Sequence, residues 1–136
     1  MPVGQALDVL HQIHKVCPNA TVYISGDEPT LHANFHNIVS LALELFKNVW
    51  VISNGTNTKK IITCQNMYPK LHFQFSLDGT ESIHNHLRGA NSFCNVIQTL
   101  NYFSENDLDM TISTTVSLDN VAYIKNLVVT QRLVVK

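Results

Sequence analysis

The chain has 136 residues, of which 45% are hydrophobic and 14% charged, and its formal net charge is −1 at pH 7. This composition is typical of one globular domain, and it excludes a disordered segment or a strongly basic nucleic-acid-binding protein. No apolar run reaches the roughly 18 residues of a membrane helix, and the N-terminal segment lacks the pattern of a signal peptide. We therefore expect a cytoplasmic protein.

Segments whose apolar residues have helical spacing alternate along the chain with short apolar runs that are typical of strands. Helical spacing from Ala6 to Cys17 predicts the first helix, and a β-branched run predicts a buried strand at 21–25. A polar loop is predicted between the third strand and the helix that follows it, with Ser92 as the N-cap of that helix. The remaining predicted elements are a helix at 34–47, a strand at 49–53, a helix at 58–67, a strand at 71–77, a helix at 93–103, a strand at 110–116, a helix at 121–129 and a strand at 133–135.

Strands that are buried on both faces and separated by helices indicate right-handed crossovers and a parallel sheet. Two α/β architectures fit four or five such strands. One is part of a (β/α) barrel, since a complete barrel takes about 250 residues. The other is an open doubly wound sheet, which fits this length without truncation.

Ligand sites of both architectures lie where strands end and the following loops begin. Four successive strands of this chain end in polar residues, which favours a binding edge, although each tip alone is also a strong turn former. The four tips are Ser25-Gly26-Asp27-Glu28-Pro29, Ser53-Asn54-Gly55-Thr56, Ser76-Leu77-Asp78-Gly79 and Thr114-Thr115-Val116-Ser117.

The three cysteines and the paired histidines carry no metal motif. Cys17, Cys64 and Cys94 are far apart and form no CxxC pair, so we expect free buried thiols. His84 and His86, like His32 and His36, supply only two ligands where a metal site needs three or four. We predict no metal ligand and no catalytic residue in this chain.

Four ordered motifs resemble segments of the radical S-adenosylmethionine superfamily, in particular the SPASM-type branch of sulfatase-maturating and peptide-modifying enzymes. ISGDEPTLH resembles that family's GGEP segment, and SNGT resembles its TNG turn. FSLDGTESIHNHLRGANSFCNVIQTL and TISTTVSLDN resemble the next two strands with their loops. The resemblance extends over residues 7–129.

The resemblance implies a partial TIM-type (β/α) barrel of four to five parallel strands, forming a single domain over residues 1–136, and S-adenosylmethionine as cofactor. It places Gly26 and Glu28 at the methionine ammonium, and Ser76 and Asp78 near the ribose and methionyl parts. Arg88 would pair with a carboxylate; a surface salt bridge is the alternative, as a solvated loop acid is for Glu28. The implied cofactor-binding residues are Gly26, Asp27, Glu28, Pro29, Asn54, Ser76, Asp78, Arg88 and Thr115.

Two departures from the family pattern limit what the chain alone is expected to do. Asp27 stands where the family has its second glycine, and the CxxxCxxC loop that binds the 4Fe–4S cluster is absent. We therefore expect an inactive fragment of an enzyme that abstracts hydrogen from a peptide, protein or small molecule with a 5′-deoxyadenosyl radical. A complementary chain or segment would supply the cluster loop, and cut barrel edges would favour self-association.

Two other functions stay open. The first is a non-catalytic remnant that acts as a protein-interaction module. The second is an independent nucleotide-binding α/β domain, against which the absence of a GxGxxG or P-loop motif counts.

Overall fold

The computed structural model describes residues 1–125. The predicted strand at 133–135 and the last four residues of the predicted helix at 121–129 lie outside the described residues. The elements in chain order are α1 (Val3–Val16), β1 (Thr21–Ile24), α2 (Phe35–Leu45), β2 (Asn48–Ser53), α3 (Thr58–Met67), β3 (His72–Ser76), α4 (Glu81–Arg88), α5 (Ser92–Glu105) and β4 (Met110–Ser113), with short 3-10 helices at Pro29–Leu31 and Val121–Tyr123.

Helix α4 corrects the predicted polar loop between β3 and α5. Its sequence, ESIHNHLR, is mostly polar, with Ile83 and Leu87 as its only apolar residues, and its one fully buried side chain is that of His84. The polar composition indicated a loop, although the two apolar residues have helical spacing. The N-cap of α5 is Asn91, not Ser92, and the side chain of Asn85 in α4 accepts a hydrogen bond from the backbone N–H of Phe93 at 2.9 Å.

The four strands form one sheet in which every neighbouring pair is parallel and the order is β1-β2-β3-β4. Strand order follows chain order, so the part of the sheet formed by residues 1–125 lacks the reversal that defines an open doubly wound fold. Successive right-handed βα units in chain order are the arrangement of a (β/α) barrel. The predicted α/β fold with part of a parallel barrel is confirmed.

Helices cover only one face of this sheet within residues 1–125. Val49, Val51, Phe73 and Phe75 point into the helical layer and are fully buried. Residues that alternate with them are half-exposed, and Tyr23 of β1 is 57% exposed. The prediction of strands buried on both faces is therefore wrong, and β1 has no fully buried residue.

The core lies between the covered face of the sheet and helices α2, α3 and α5. Large side chains such as Phe35, Ile61 and Phe103 are buried there, each contributing about 1.5–3 kcal/mol by leaving water. Cys64 is buried in this core, but Cys17 and Cys94 are exposed, which corrects the expectation of three buried thiols. No helix among residues 1–125 combines the length and apolar character needed to cross a membrane.

Candidate functional site

The parallel pairing places the polar tips of all four strands at one edge of the sheet, as the sequence predicts. Gly26 to Pro29 follow β1, Asn54 directly follows β2, and Ser76 is the last residue of β3. Thr115 lies two residues beyond β4. We call this region the tip edge.

Glu28 ties the loop after β1 to the tip of β2. Its Oε1 accepts hydrogen bonds from the backbone N–H and the hydroxyl of Thr30, at 3.0 and 2.6 Å. The hydroxyl of Ser53 lies 3.0 and 2.9 Å from the two carboxylate oxygens, and Oε2 accepts from the backbone N–H of Asn54 at 2.7 Å. Glu28 is 9% exposed and its carboxylate is fully hydrogen-bonded, so it is not a solvated loop acid.

The tip of β2 forms a tight turn. Oδ1 of Asn54 accepts hydrogen bonds from the backbone N–H and the hydroxyl of Thr56, at 2.9 and 2.7 Å. Gly55 has a φ of +73°, and an added Cβ would lie 2.5 Å from Cγ2 of Val96, so both the backbone conformation and the space require glycine. The turn leaves the side-chain NH₂ of Asn54 without a hydrogen-bond partner among residues 1–125.

Asp78 connects β3 to α4 and to the loop after β4. Its Oδ1 accepts from the backbone N–H of Thr115 at 2.9 Å, and its Oδ2 accepts from Nε of Arg88. Its backbone N–H donates to Nδ1 of His84 at 3.1 Å, and its carbonyl accepts from Nδ2 of the fully buried Asn120 at 2.8 Å. The Asp78 side chain is 5% exposed and that of Arg88 is 30% exposed, so this ion pair is partly buried.

His84 is a neutral, oriented donor at the tip edge. Because its Nδ1 accepts a hydrogen bond, the ring proton must lie on Nε2. Burial lowers the pKa of this imidazole, the positive charge of Arg88 lowers it further, and the charge of Asp78 opposes them. Nε2 is buried and has no hydrogen-bond partner among the described residues.

A cavity of about 270 Å³ opens between the loop after β1, the tip of β2 and helix α4. Arg88 brings a positive charge to its wall, and Asp27 brings a negative charge from the loop after β1. The cavity is lined by Asp27, Asn54, Thr56, His84, Leu87, Arg88 and Ser92. We call it the charged cavity, and it is polar enough to hold a small charged ligand.

The predicted site residues do not all border this cavity. Asp27, Asn54 and Arg88 do, whereas Gly26, Glu28 and Pro29 line a separate cavity of about 370 Å³ that Asp27 also borders. Ser76, Asp78 and Thr115 lie further along the tip edge. Thr30, His84 and Asn120, which position these groups, were not predicted as site residues, and Ser53 was predicted only as part of a polar strand tip.

Comparison with known proteins supports the same family. No protein-family model matches the chain. The chain is 28% identical over 111 residues to the sporulation killing factor maturation protein SkfB of Bacillus subtilis strain 168, covering 80% of this chain and 27% of SkfB. The fold matches Streptococcus suis SuiB bound to S-adenosylmethionine, with a TM-score of 0.74 and 19% identity over 97% of this chain and 32% of SuiB. A second SuiB structure matches with a TM-score of 0.75 and 20% identity over 91% of this chain and 29% of SuiB.

The resemblance to the radical S-adenosylmethionine superfamily is confirmed. This chain spans between a quarter and a third of the length of these relatives. The part of this chain that resembles the radical S-adenosylmethionine fold is the parallel sheet with its tip edge.

The cysteines described here do not fit the thiolate-bound cluster of radical S-adenosylmethionine enzymes. Burial raises the pKa of the Cys64 thiol to about 12, so this residue stays protonated at neutral pH. Cys17 follows α1 and Cys94 lies in α5, so the three thiols belong to separate elements. Residues 1–125 contain no group of three His, Cys, Asp or Glu side chains placed to hold a metal ion.

Proposed function

We propose that this chain is the cofactor-side fragment of a radical S-adenosylmethionine enzyme core, and that its tip edge binds S-adenosylmethionine. The observation that carries the proposal is the charged cavity, which lies at the common edge of four parallel strands. The fold match to SuiB bound to S-adenosylmethionine supports it, as does the sequence match to a maturation protein.

The amino-acid end of the cofactor fits the loop after β1. Glu28 is fully engaged in holding this loop against β2, so the loop offers the ligand the backbone of Gly26 and the side chain of Asp27. Pro29 has no N–H group, and its carbonyl already accepts a hydrogen bond from the backbone N–H of His32 at 3.0 Å. Arg88 offers a planar pair of N–H groups to the ligand carboxylate. The contribution of Glu28 in this proposal is to position the loop.

The ribose end of the cofactor fits the tips of β3 and β4. Ser76 is half-exposed and its hydroxyl makes no hydrogen bond to residues 1–125, so the hydroxyl is available to a ligand hydroxyl. Both carboxylate oxygens of Asp78 are occupied by Thr115 and Arg88. In this proposal Asp78 therefore orients Arg88 and fixes the backbone of Thr115 beside the ligand.

The cysteine ligands of the cluster would come from a preceding segment or from another chain. Among the strands of residues 1–125, β1 lies at one edge of the sheet, and that edge can pair with one more parallel strand. With cluster and cofactor bound, the complete enzyme would generate a 5′-deoxyadenosyl radical that abstracts hydrogen from a peptide, protein or small molecule. The residues described here would bind and orient the cofactor.

The test has a genetic and a biochemical part. We expect the coding sequence upstream of this chain, or an adjacent reading frame, to encode a CxxxCxxC loop. After anaerobic treatment with iron and sulfide, the chain alone should lack the stoichiometric absorbance of a 4Fe–4S cluster. The chain joined to the cysteine segment should acquire it and should form 5′-deoxyadenosine from S-adenosylmethionine under reducing conditions.

Two outcomes would contradict this proposal. A stoichiometric cluster on the chain alone would overturn our account of its cysteines. A joined protein that holds its cluster but forms no 5′-deoxyadenosine would overturn the cofactor assignment. Arg88→Lys should lower 5′-deoxyadenosine formation because a lysine cannot make the paired contact, and Lys59→Met, an exposed change of charge in α3, should not.

The uncovered face of the sheet favours a second candidate function, a protein-interaction module. The rings of Tyr23 and Trp50 stack there with centroids 6.0 Å apart, and those of Trp50 and His72 stack at 4.9 Å. Exposed aromatic side chains are common at protein interfaces. The absence of any upstream cysteine loop, together with a lack of S-adenosylmethionine binding, would favour this candidate over the first.

A further inference from the structure

We propose that the chain has a second binding site, at the opposite end of the sheet from the tip edge, for an amphiphilic carboxylate, that is, an alkyl chain that ends in a carboxylate group. The site is a groove of about 740 Å³ between the C-terminal ends of α2 and α3, where β2 and β3 begin. This volume lies within the usual range of small-molecule sites. We call it the basal groove.

The basal groove is lined largely by apolar side chains that the described residues cover only in part. Phe46 is 3% exposed and packs edge-on against the ring of His14, with centroids 5.4 Å apart. Leu43 and Leu45 of α2 are half-buried, and Met67 of α3 is 57% exposed. Because burial of apolar surface is favourable, an alkyl chain placed along these side chains is stabilised. The unbranched side chain of Met67 can adapt to the shape of that chain.

Two lysines bring positive charge to the basal groove from separate loops. Lys47 directly follows the residue that closes α2, Phe46. Lys70 lies in the turn after α3, where the backbone N–H of Leu71 donates to the carbonyl of Tyr68 at 2.9 Å. Both lysines are exposed, and neither makes a salt bridge or a side-chain hydrogen bond to residues 1–125. Their ammonium groups are available to an anion.

The charge of the groove suits one carboxylate. A lysine after a helix C-terminus is favourable by itself, but this effect does not account for the apolar surface left open between the two helix ends. Glu44 also borders the groove, so two lysines and one glutamate leave a formal net charge of +1. A single ligand carboxylate complements this charge, whereas an alkyl cation does not.

The strands beside the basal groove favour a small molecule over an extended peptide. β2 and β3 are each paired on both sides within the sheet, so the groove offers no strand edge to which a peptide backbone could add. Binding there depends on side-chain contacts alone. The groove shares no lining residue with the charged cavity or with the cavity beside the loop after β1, so this inference goes beyond the proposed function.

The experiment uses methyl nuclear magnetic resonance of the purified chain labelled with carbon-13 at its methionine methyl groups. The chain has three methionines, which report on three places. Met67 lines the basal groove, Met1 lines the cavity beside the loop after β1, and Met110 of β4 packs against the core. The probes are decanoate, 1-decanol, decyltrimethylammonium and acetate, each below its micelle concentration and at concentrations that leave the circular dichroism spectrum unchanged.

We expect decanoate to shift the Met67 signal saturably and to leave the signals of Met1 and Met110 in place. 1-Decanol, which has the alkyl chain without the charge, should bind about tenfold weaker because it loses the attraction of both lysines. Decyltrimethylammonium should bind more weakly still, and acetate, which lacks the alkyl chain, should not shift Met67.

Variants separate the charge from the apolar contact. Lys47→Gln and Lys70→Gln should each weaken decanoate binding by about threefold and leave 1-decanol binding unchanged. Glu44→Gln should have the opposite effect and strengthen decanoate binding by about twofold. Lys59→Gln, at an exposed position of α3 outside the groove, is the control and should change neither affinity. All four positions are exposed, so the variants are expected to fold normally.

Four outcomes would overturn the inference. They are the absence of a saturable Met67 shift with decanoate, equal affinities for decanoate and 1-decanol, unchanged decanoate affinity when both lysines are replaced, and a shift of Met1 in place of Met67. A peptide of leucine and glutamate residues that shifts Met67 where decanoate does not would assign the groove to a protein partner instead. None of these results depends on S-adenosylmethionine binding, so the proposed function is tested separately.

Discussion

Replacement of Glu28 by alanine would test how firmly the loop after β1 is held at the tip edge. The carboxylate accepts hydrogen bonds from two backbone N–H groups, of Thr30 and Asn54, and from the hydroxyls of Thr30 and Ser53. Thr30 is fully buried and Ser53 is 2% exposed, so water cannot easily replace the lost acceptor. The variant therefore leaves several donors unsatisfied at once.

The size of the stability loss depends on the hydrogen-bond donors that cannot reorient toward another acceptor. The two hydroxyls can rotate toward other acceptors, but the two backbone N–H groups are fixed. A hydrogen bond to a charged group contributes about 1.5–3 kcal/mol, so two of them give about 3–6 kcal/mol. Asn54 is half-exposed, so water replaces part of its lost hydrogen bond, and the expected loss from the free energy of unfolding lies toward the lower end of this range, at about 3–4 kcal/mol.

The assay is urea unfolding followed by circular dichroism, with the free energy obtained by linear extrapolation. Glu28→Gln keeps the shape but sets an NH₂ group against a donor, so we expect about half the loss. A double-mutant cycle with Ser53→Ala should show a coupling energy of about 1 kcal/mol or more between the two side chains.

Asp27→Asn is the matched control, because this neighbouring carboxylate makes no hydrogen bond to the described residues. We expect it to change the free energy of unfolding by less than about 0.5 kcal/mol. A loss of less than about 1 kcal/mol for Glu28→Ala would refute the reasoning, because the loop would then not depend on these hydrogen bonds.

The remaining predictions concern single positions. Gly55→Ala should lose about 2–4 kcal/mol of stability, because the φ at this position is positive and the new Cβ would collide with Val96. Gly4→Ala in α1 is the control: no atom lies within 4 Å of the new Cβ, so stability should change by no more than about 1 kcal/mol. Equal effects of the two substitutions would contradict the geometry at Gly55. Because the pKa of His84 is lowered from 6.5 in the folded state, the unfolded state takes up its proton first as pH falls, and the stability present above about pH 6.5 is lost below it. The urea midpoint should therefore drop more between neutral and mildly acidic pH for the wild type than for His84→Asn, and parallel curves would count against this. A thiol reagent at mildly alkaline pH should react at once with the two exposed cysteines and reach Cys64 only on unfolding. Rapid reaction of all three thiols in the folded protein would be inconsistent with the burial of Cys64.

The order of strands and helices could be predicted because β-branched runs lie between strong turn formers. The observed strands end within three residues of the predicted ends, and α3 has the predicted limits of Thr58 and Met67. Helix α4 was not predicted because its sequence is mostly polar and its one fully buried side chain is that of His84, which is not a hydrophobic residue. The uncovered face of the sheet was not predicted either, because Tyr23 and Trp50 are residue types that are common in buried strands.

The tip edge could be predicted in outline but not in detail. Parallel pairing alone brings the strand ends together, so the residue types at four tips were enough to find the edge. The partners within it depend on contacts between distant residues: Glu28 meets Ser53 across 25 positions, and Asp78 meets Asn120 across 42. No local pattern in the sequence records which carboxylate is used internally and which one is left for a ligand.

Trp50 is the single tryptophan of the chain, and it stands on the face of the sheet that no described helix covers, between the rings of Tyr23 and His72. Any strand, peptide or second copy that settles on this face must remove water from the indole. Fluorescence emission from this one ring would then move to shorter wavelength, so tryptophan fluorescence would report binding at this face of the sheet.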